Sequence, residues 1–149
     1  MIYPMYIANE WYKGSGDFKD VINPATGKII GRIPMGDSRD VDRAVNAANK
    51  AEVNLNKMTV FDRADMLIRI SNAITKRKEE LAKLLTSEHG KTYKESLAEV
   101  DGCVLTFRES AEQIKWMDSS IINLREANKK CFVFNKPIGI FGVITPWNY

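Results

Sequence analysis

Apolar positions change period along this chain, and each change marks a change of element. From Met5 to about Met35 they come in short, alternating groups set off by turn residues. Tyr6, Ala8 and Trp11 flank Asn9-Glu10, and Phe18, Val21 and Ile22 precede Asn23-Pro24-Ala25-Thr26-Gly27. Alternation predicts short strands. A proline that presets φ and a glycine that tolerates positive φ predict a hairpin turn at 23–27, with Ile29, Ile30 and Ile33 forming the return strand before Pro34 and Gly36.

From Asp37 to about Asn123 the period becomes helical. Ser38 is placed to cap a first helix whose Val41, Ala44, Val45, Ala48 and Ala51 share one face. Thr59 and Asp62 form a capping-box pair for a second, with Ala64, Leu67, Ile68, Ser71 and Ile74 as its buried stripe. A third carries Leu81, Leu84 and Leu85 and stops at His89-Gly90, since glycine accepts the left-handed conformation that closes a helix. Thr92 and Glu95 open a long fourth helix with the stripe Leu97, Val100, Val104, Phe107, Ala111 and Ile114. Cys103 is expected on its buried side, and Gly102 inside it costs about 1 kcal/mol relative to alanine unless close packing needs it.

The last zone reads as strands. Cys131-Phe132-Val133-Phe134 is one, and Ile138 to Thr145 is an almost unbroken apolar run. Such a run suits a strand covered on both faces in a parallel sheet. The neighbours it needs are expected outside these residues. Thr145-Pro146-Trp147-Asn148 then follows the carboxyl end of that run, where open α/β sheets hold their ligands. An asparagine there has two readings: a turn former or helix cap, or an uncharged amide donor to a developing oxyanion.

Composition narrows the classes. The 149 residues carry 22 Lys+Arg and 19 Asp+Glu, net +3, with bases and acids interleaved as in KRKEELAK, so no basic stripe invites a nucleic acid. No apolar stretch is long enough to span a bilayer, and the N-terminus has no secretion-signal pattern, so a cytoplasmic protein is expected. His89, Cys103 and Cys131 are too scattered for a zinc motif, and no metal site is expected.

Five segments in order, YIANEWY, VINPATGKIIGRIP, the D-x-x-R-A-V-x-A-A stretch at Asp40 to Ala48, EHGKTYKESLAEV and NKPIGIFGVITPWNY, resemble the N-terminal part of the NAD(P)-dependent aldehyde dehydrogenases. The resemblance implies an α/β fold: short N-terminal strands, four helices, then the start of a doubly wound parallel sheet. Residues 1–149 would be an incomplete N-terminal part of the cofactor-binding domain, and 129–136 the start of a β-extension that pairs between subunits of a homo-oligomer. It implies that Asn148 donates its side-chain amide to the oxygen of a cysteine thiohemiacetal, and that Ile144, Thr145, Pro146 and Trp147 line the cleft for NAD or NADP. Cys103 and Phe107 would line the entrance for a small aldehyde. Neither Cys103 nor Cys131 matches the family's nucleophile motif. The nucleophilic cysteine and general-base glutamate would lie beyond Tyr149, leaving these residues inactive alone. Lys91 and Glu99 are read as helix-end and surface charges. Relatives that hold a monovalent cation would do so near the Ile22 carbonyl and the position of Glu88. The alternative is a non-catalytic helical interaction or assembly module derived from such an enzyme.

Overall fold

The computed structural model describes residues 2–117 and 119–146. Two antiparallel hairpins come first. β1 (Met5–Ile7) pairs with β2 (Glu10–Tyr12) across Ala8-Asn9, both at positive φ (57° and 66°). That backbone suits the twist of a two-residue hairpin. The reversal thus sits one residue earlier than the Asn9-Glu10 expected, and the Tyr6 hydroxyl donates to Asn9 Oδ1 at 2.9 Å beside it. β3 (Phe18–Ile22) pairs with β4 (Ile29–Pro34) as expected. Asn23 Oδ1 accepts from the amides of Ala25 and Thr26 at 2.9 and 3.2 Å, and Gly27 takes φ 67°.

Four helices follow: α1 (Ser38–Leu55), α2 (Val60–Lys76), α3 (Lys78–His89) and α4 (Tyr93–Gln113). α2 and α4 begin with the two expected capping boxes. α1 begins differently. Asp37, not Ser38, is its N-cap, because the Asp40 side chain returns the bond to the Asp37 amide and closes a box that Ser38 cannot make. Gly90 ends α3 at φ 83°, and a Cβ there would lie 2.7 Å from Pro24 Cγ, so the β3–β4 turn rests on the junction of α3 and α4.

The core lies where α2 and α3 pack on α4. Ala64, Ala82, Val100 and Ala111 are buried, together with the hydroxyls of Ser71 and Ser96. Small residues let the helices approach closely, and the hydroxyls are satisfied across the crossings. Ser71 Oγ donates to the Val104 carbonyl at 3.1 Å and accepts from Arg108 Nε at 3.2 Å, while Thr86 and Ser96 share a bond of 2.8 Å. The α2 and α4 stripes are the ones expected. The α1 stripe is not buried: Val41 and Val45 are exposed at 60% and 41%, because no other helix among the described residues packs on that face.

Two strand expectations are corrected. β5 (Ser120–Ile122) falls inside the zone read as helical and pairs antiparallel with β6 (Cys131–Val133), which turns an exposed edge into a two-stranded ribbon. The run from Ile138 to Thr145 forms no strand, and the described residues contain three separate two-stranded sheets and no parallel one. A strand needs a neighbour for its amides and carbonyls, and none of the six lies beside this run.

Candidate functional site

The α4 helix positions the first half of the expected site. Its outer surface borders an open groove of about 730 Å³ lined by Lys91, Glu95, Ala98, Glu99, Gly102, Cys103 and Thr106. A second groove of about 460 Å³, more apolar, runs between α3 and α4 past Leu81, Leu84, Leu85, Glu88 and Val100, and shares Glu99 and Cys103 with the first. Cys103 is therefore exposed between two grooves and not on the buried side of the helix. The reason is its register: Val100 takes the buried position on this turn and Val104 a half-buried one, leaving Cys103 at the rim. Phe107, one turn on, is half-buried. Gly102 has no close-packing role, since a Cβ there meets nothing within 4 Å, and its smallness leaves the groove floor open.

Lys91 and Glu99 are the residues the sequence undervalued. Instead of two surface charges they form an ion pair across the first turn of α4, with side chains only 11% and 29% exposed. Lys91 lies in the short link before α4 and Glu99 within that helix, so the pair ties the entry of α4 to its own body. Glu95 also borders this groove, yet its carboxylate is already engaged. It accepts from the Thr92 hydroxyl at 2.7 Å and the Thr92 amide at 3.0 Å, which hold it below the ordinary glutamate value with a smaller push from Lys91. A carboxylate held ionised in a helix cap is a poor proton acceptor, so Glu95 is not suited to act as a general base.

The second half of the expected site stands apart from the first. Pro137 and Gly139 lie beside Arg63, Met66, Leu67 and Ile114 along α2 and the end of α4, and the chain then runs into exposed backbone. Ile144 is 98% exposed, and Thr145 and Pro146 are exposed. The described residues do not bring 144–146 onto Cys103 and Phe107. Trp147 and Asn148 lie outside the described residues. No group of three or more metal-binding side chains occurs among the described residues, and no described helix is long and apolar enough to cross a membrane.

Comparison with known proteins gives this arrangement its context. The family model described as "Aldehyde dehydrogenase family" matches residues 11–149. Among curated relatives, D-glyceraldehyde dehydrogenase (NADP(+)) of Thermoplasma acidophilum is 32% identical over 97% of this chain and 30% of its own length. Malonate-semialdehyde dehydrogenase 2 of Bacillus mycoides is 35% identical over the same shares. Among solved structures, lactaldehyde dehydrogenase from Escherichia coli superposes with a TM-score of 0.82 at 31% identity, covering 87% of this chain and 27% of that one. Betaine aldehyde dehydrogenase from Staphylococcus aureus, in complex with NAD+, gives 0.79 at 27% identity over 86% and 26%. The chain spans about 30% of the length of the curated relatives it matches. The family match takes in the four helices and runs to residue 149. The chain belongs to the aldehyde dehydrogenase family.

Proposed function

We propose that these residues are the N-terminal segment of an oxidoreductase that converts a small aldehyde to a carboxylic acid with NAD+ or NADP+. One observation carries the reading. The family match runs to residue 149 and so takes in Thr145-Pro146-Trp147-Asn148, the one stretch of the chain with residue types suited to both a cofactor wall and an oxyanion. Relatives named for glyceraldehyde, malonate semialdehyde and lactaldehyde support a small aldehyde as substrate, and relatives named for NADP(+) or found with NAD+ support either cofactor.

The residues present do not cradle a dinucleotide by themselves. Ile144 at 98% exposure, with Thr145 and Pro146 beside it, offers at most one wall. What this segment contributes is a donor. When a thiolate attacks an aldehyde carbon, the carbonyl electrons move onto oxygen, and an uncharged N–H donor placed there stabilises the charge without competing for the proton. Asn148 is that donor. Cys103 and Phe107 line the approach for the aldehyde. Neither Cys103 nor Cys131 supplies the thiolate, which comes with the general base from outside these 149 residues. The 129–136 stretch begins a subunit-pairing extension of a homo-oligomeric, cytoplasmic enzyme.

The test compares the product of the full reading frame with the 149-residue chain alone. Aldehyde-dependent formation of NADH or NADPH is expected from the first and not from the second. Turnover by the 149 residues alone would place the nucleophile among them, and no aldehyde oxidation by the full product would overturn the reading.

A further inference from the structure

The buried carboxylate of Asp40 takes no part in the chemistry above. It sits in the first turn of α1, only 4% exposed. Its Oδ2 accepts two backbone N–H groups from different segments: Asp37 at 3.0 Å, which closes the helix cap, and Ser15 at 3.1 Å, in the loop that follows β2. Its Oδ1 is buried and meets no hydrogen-bond partner among the described residues. The loop is packed tightly at this point, since a Cβ on Gly16 would lie 2.0 Å from the Met35 carbonyl oxygen.

We propose that Asp40 is an acid-operated latch: ionised, it holds the Ser15 loop after β2 on the start of α1, and protonation loosens that loop while α2, α3 and α4 remain packed. The geometry disfavours the neutral acid. A proton on Oδ2 would face the two N–H donors that this oxygen accepts. A proton on Oδ1 would be a buried donor with nothing to receive it, which costs its desolvation. Once neutral, the carboxyl loses the charge that strengthens both N–H bonds, and the Ser15 and Asp37 amides are held more weakly.

The other charges around it tie the same surfaces together, but none of them accepts from the Ser15 amide. On its own element, Asp37 repels Asp40, while Arg39 attracts it and donates to the Ser15 carbonyl at 3.3 Å. From the hairpin, Glu10 meets Arg43 at 3.4 Å, and the Tyr12 ring lies 4.2 Å from the Arg43 guanidinium. The bond from the Asp37 amide is the largest influence on the Asp40 carboxyl, burial opposes it and the Ser15 amide adds to it, leaving the carboxyl below its ordinary 3.8. A depressed acid stabilises the fold above its unfolded value and loses that contribution as pH falls through the folded one. The latch is therefore fully closed above pH 3.8 and opens only as pH falls further, through the lower value of the folded state.

Amide hydrogen exchange of the 149-residue chain across the acid range tests this, with each rate corrected for its intrinsic pH dependence. Protection of the Ser15 amide is expected to fall about tenfold or more as the Asp40 carboxyl titrates. The Gly90 amide, bonded to the Thr86 carbonyl at 2.9 Å, is expected to keep its protection. In Asp40→Asn, which retains an acceptor oxygen and cannot titrate, the Ser15 step is expected to vanish. If Asp40→Asn does not fold, the carboxyl-carbon resonance of Asp40 in the natural chain decides: its titration and the loss at Ser15 are expected to share one midpoint. A Ser15 step that persists in Asp40→Asn, midpoints that differ, or equal loss at Gly90 would overturn the latch.

Discussion

Single backbone positions decide how the hairpins meet the helices. Gly90 adopts φ 83° at the end of α3, and any Cβ there would press on Pro24 Cγ at 2.7 Å. An alanine in this conformation costs about 1–2 kcal/mol, and the contact with Pro24 adds to it unless the β3–β4 turn moves away. Gly90→Ala is expected to lower the urea midpoint by an amount worth about 1–3 kcal/mol. An unchanged midpoint would show that the turn does not rest on this junction. The glycine was legible as a helix stop from His89-Gly90, but its contact with Pro24 was not, because nothing in either local pattern fixes a meeting across so many residues. The same holds for Lys91 with Glu99 and for Asp40 with Ser15. Each partner reads as an ordinary polar residue in its own local pattern, and the pairing appears only in the folded chain.

Elements were most legible where side chains answer their own backbone. The capping boxes at Thr59/Asp62 and Thr92/Glu95 are local and formed as read, with Thr59 Oγ1 accepting the Asp62 amide at 3.1 Å and Asp62 Oδ2 accepting the Thr59 hydroxyl at 2.7 Å. The hydroxyl bond is the main reason that Asp62 and Glu95 sit below their ordinary values of 3.8 and 4.5, with the backbone bond to the same threonine adding to it. Both depressed acids stabilise their helices above those values and lose that contribution as pH falls through the folded ones. Thr59→Ala is therefore expected to cost about 1 kcal/mol at neutral pH, measured by urea unfolding, and less once Asp62 is protonated. A cost that does not shrink in acid would mean that the box is not held by the ionised carboxylate. Strand formation was less legible because it depends on partners. The ribbon of β5 and β6 formed where only β6 was foreseen. The apolar run at 138–145 stayed without a ladder, although its composition reads as a buried strand. The α1 stripe was also correctly periodic and still exposed, since periodicity names the face to be covered and not what covers it.

At the scale of the whole molecule, exposed apolar surface gathers on one face of α1 and along 138–144, where Ile138, Phe141, Val143 and Ile144 are 84%, 66%, 77% and 98% exposed. Apolar residues exposed to this degree mark these two stretches as candidate interaction surfaces. The central claim nevertheless rests on Asn148, whose side chain is proposed to hold the oxygen of the reacting aldehyde. The most direct measurement is kcat of the aldehyde-oxidising product of the full reading frame with Asn148→Ala, alongside cofactor affinity. The account predicts a fall in kcat of about 10²–10³, the usual cost of losing one oxyanion donor, with cofactor affinity nearly unchanged. Unchanged turnover would contradict it.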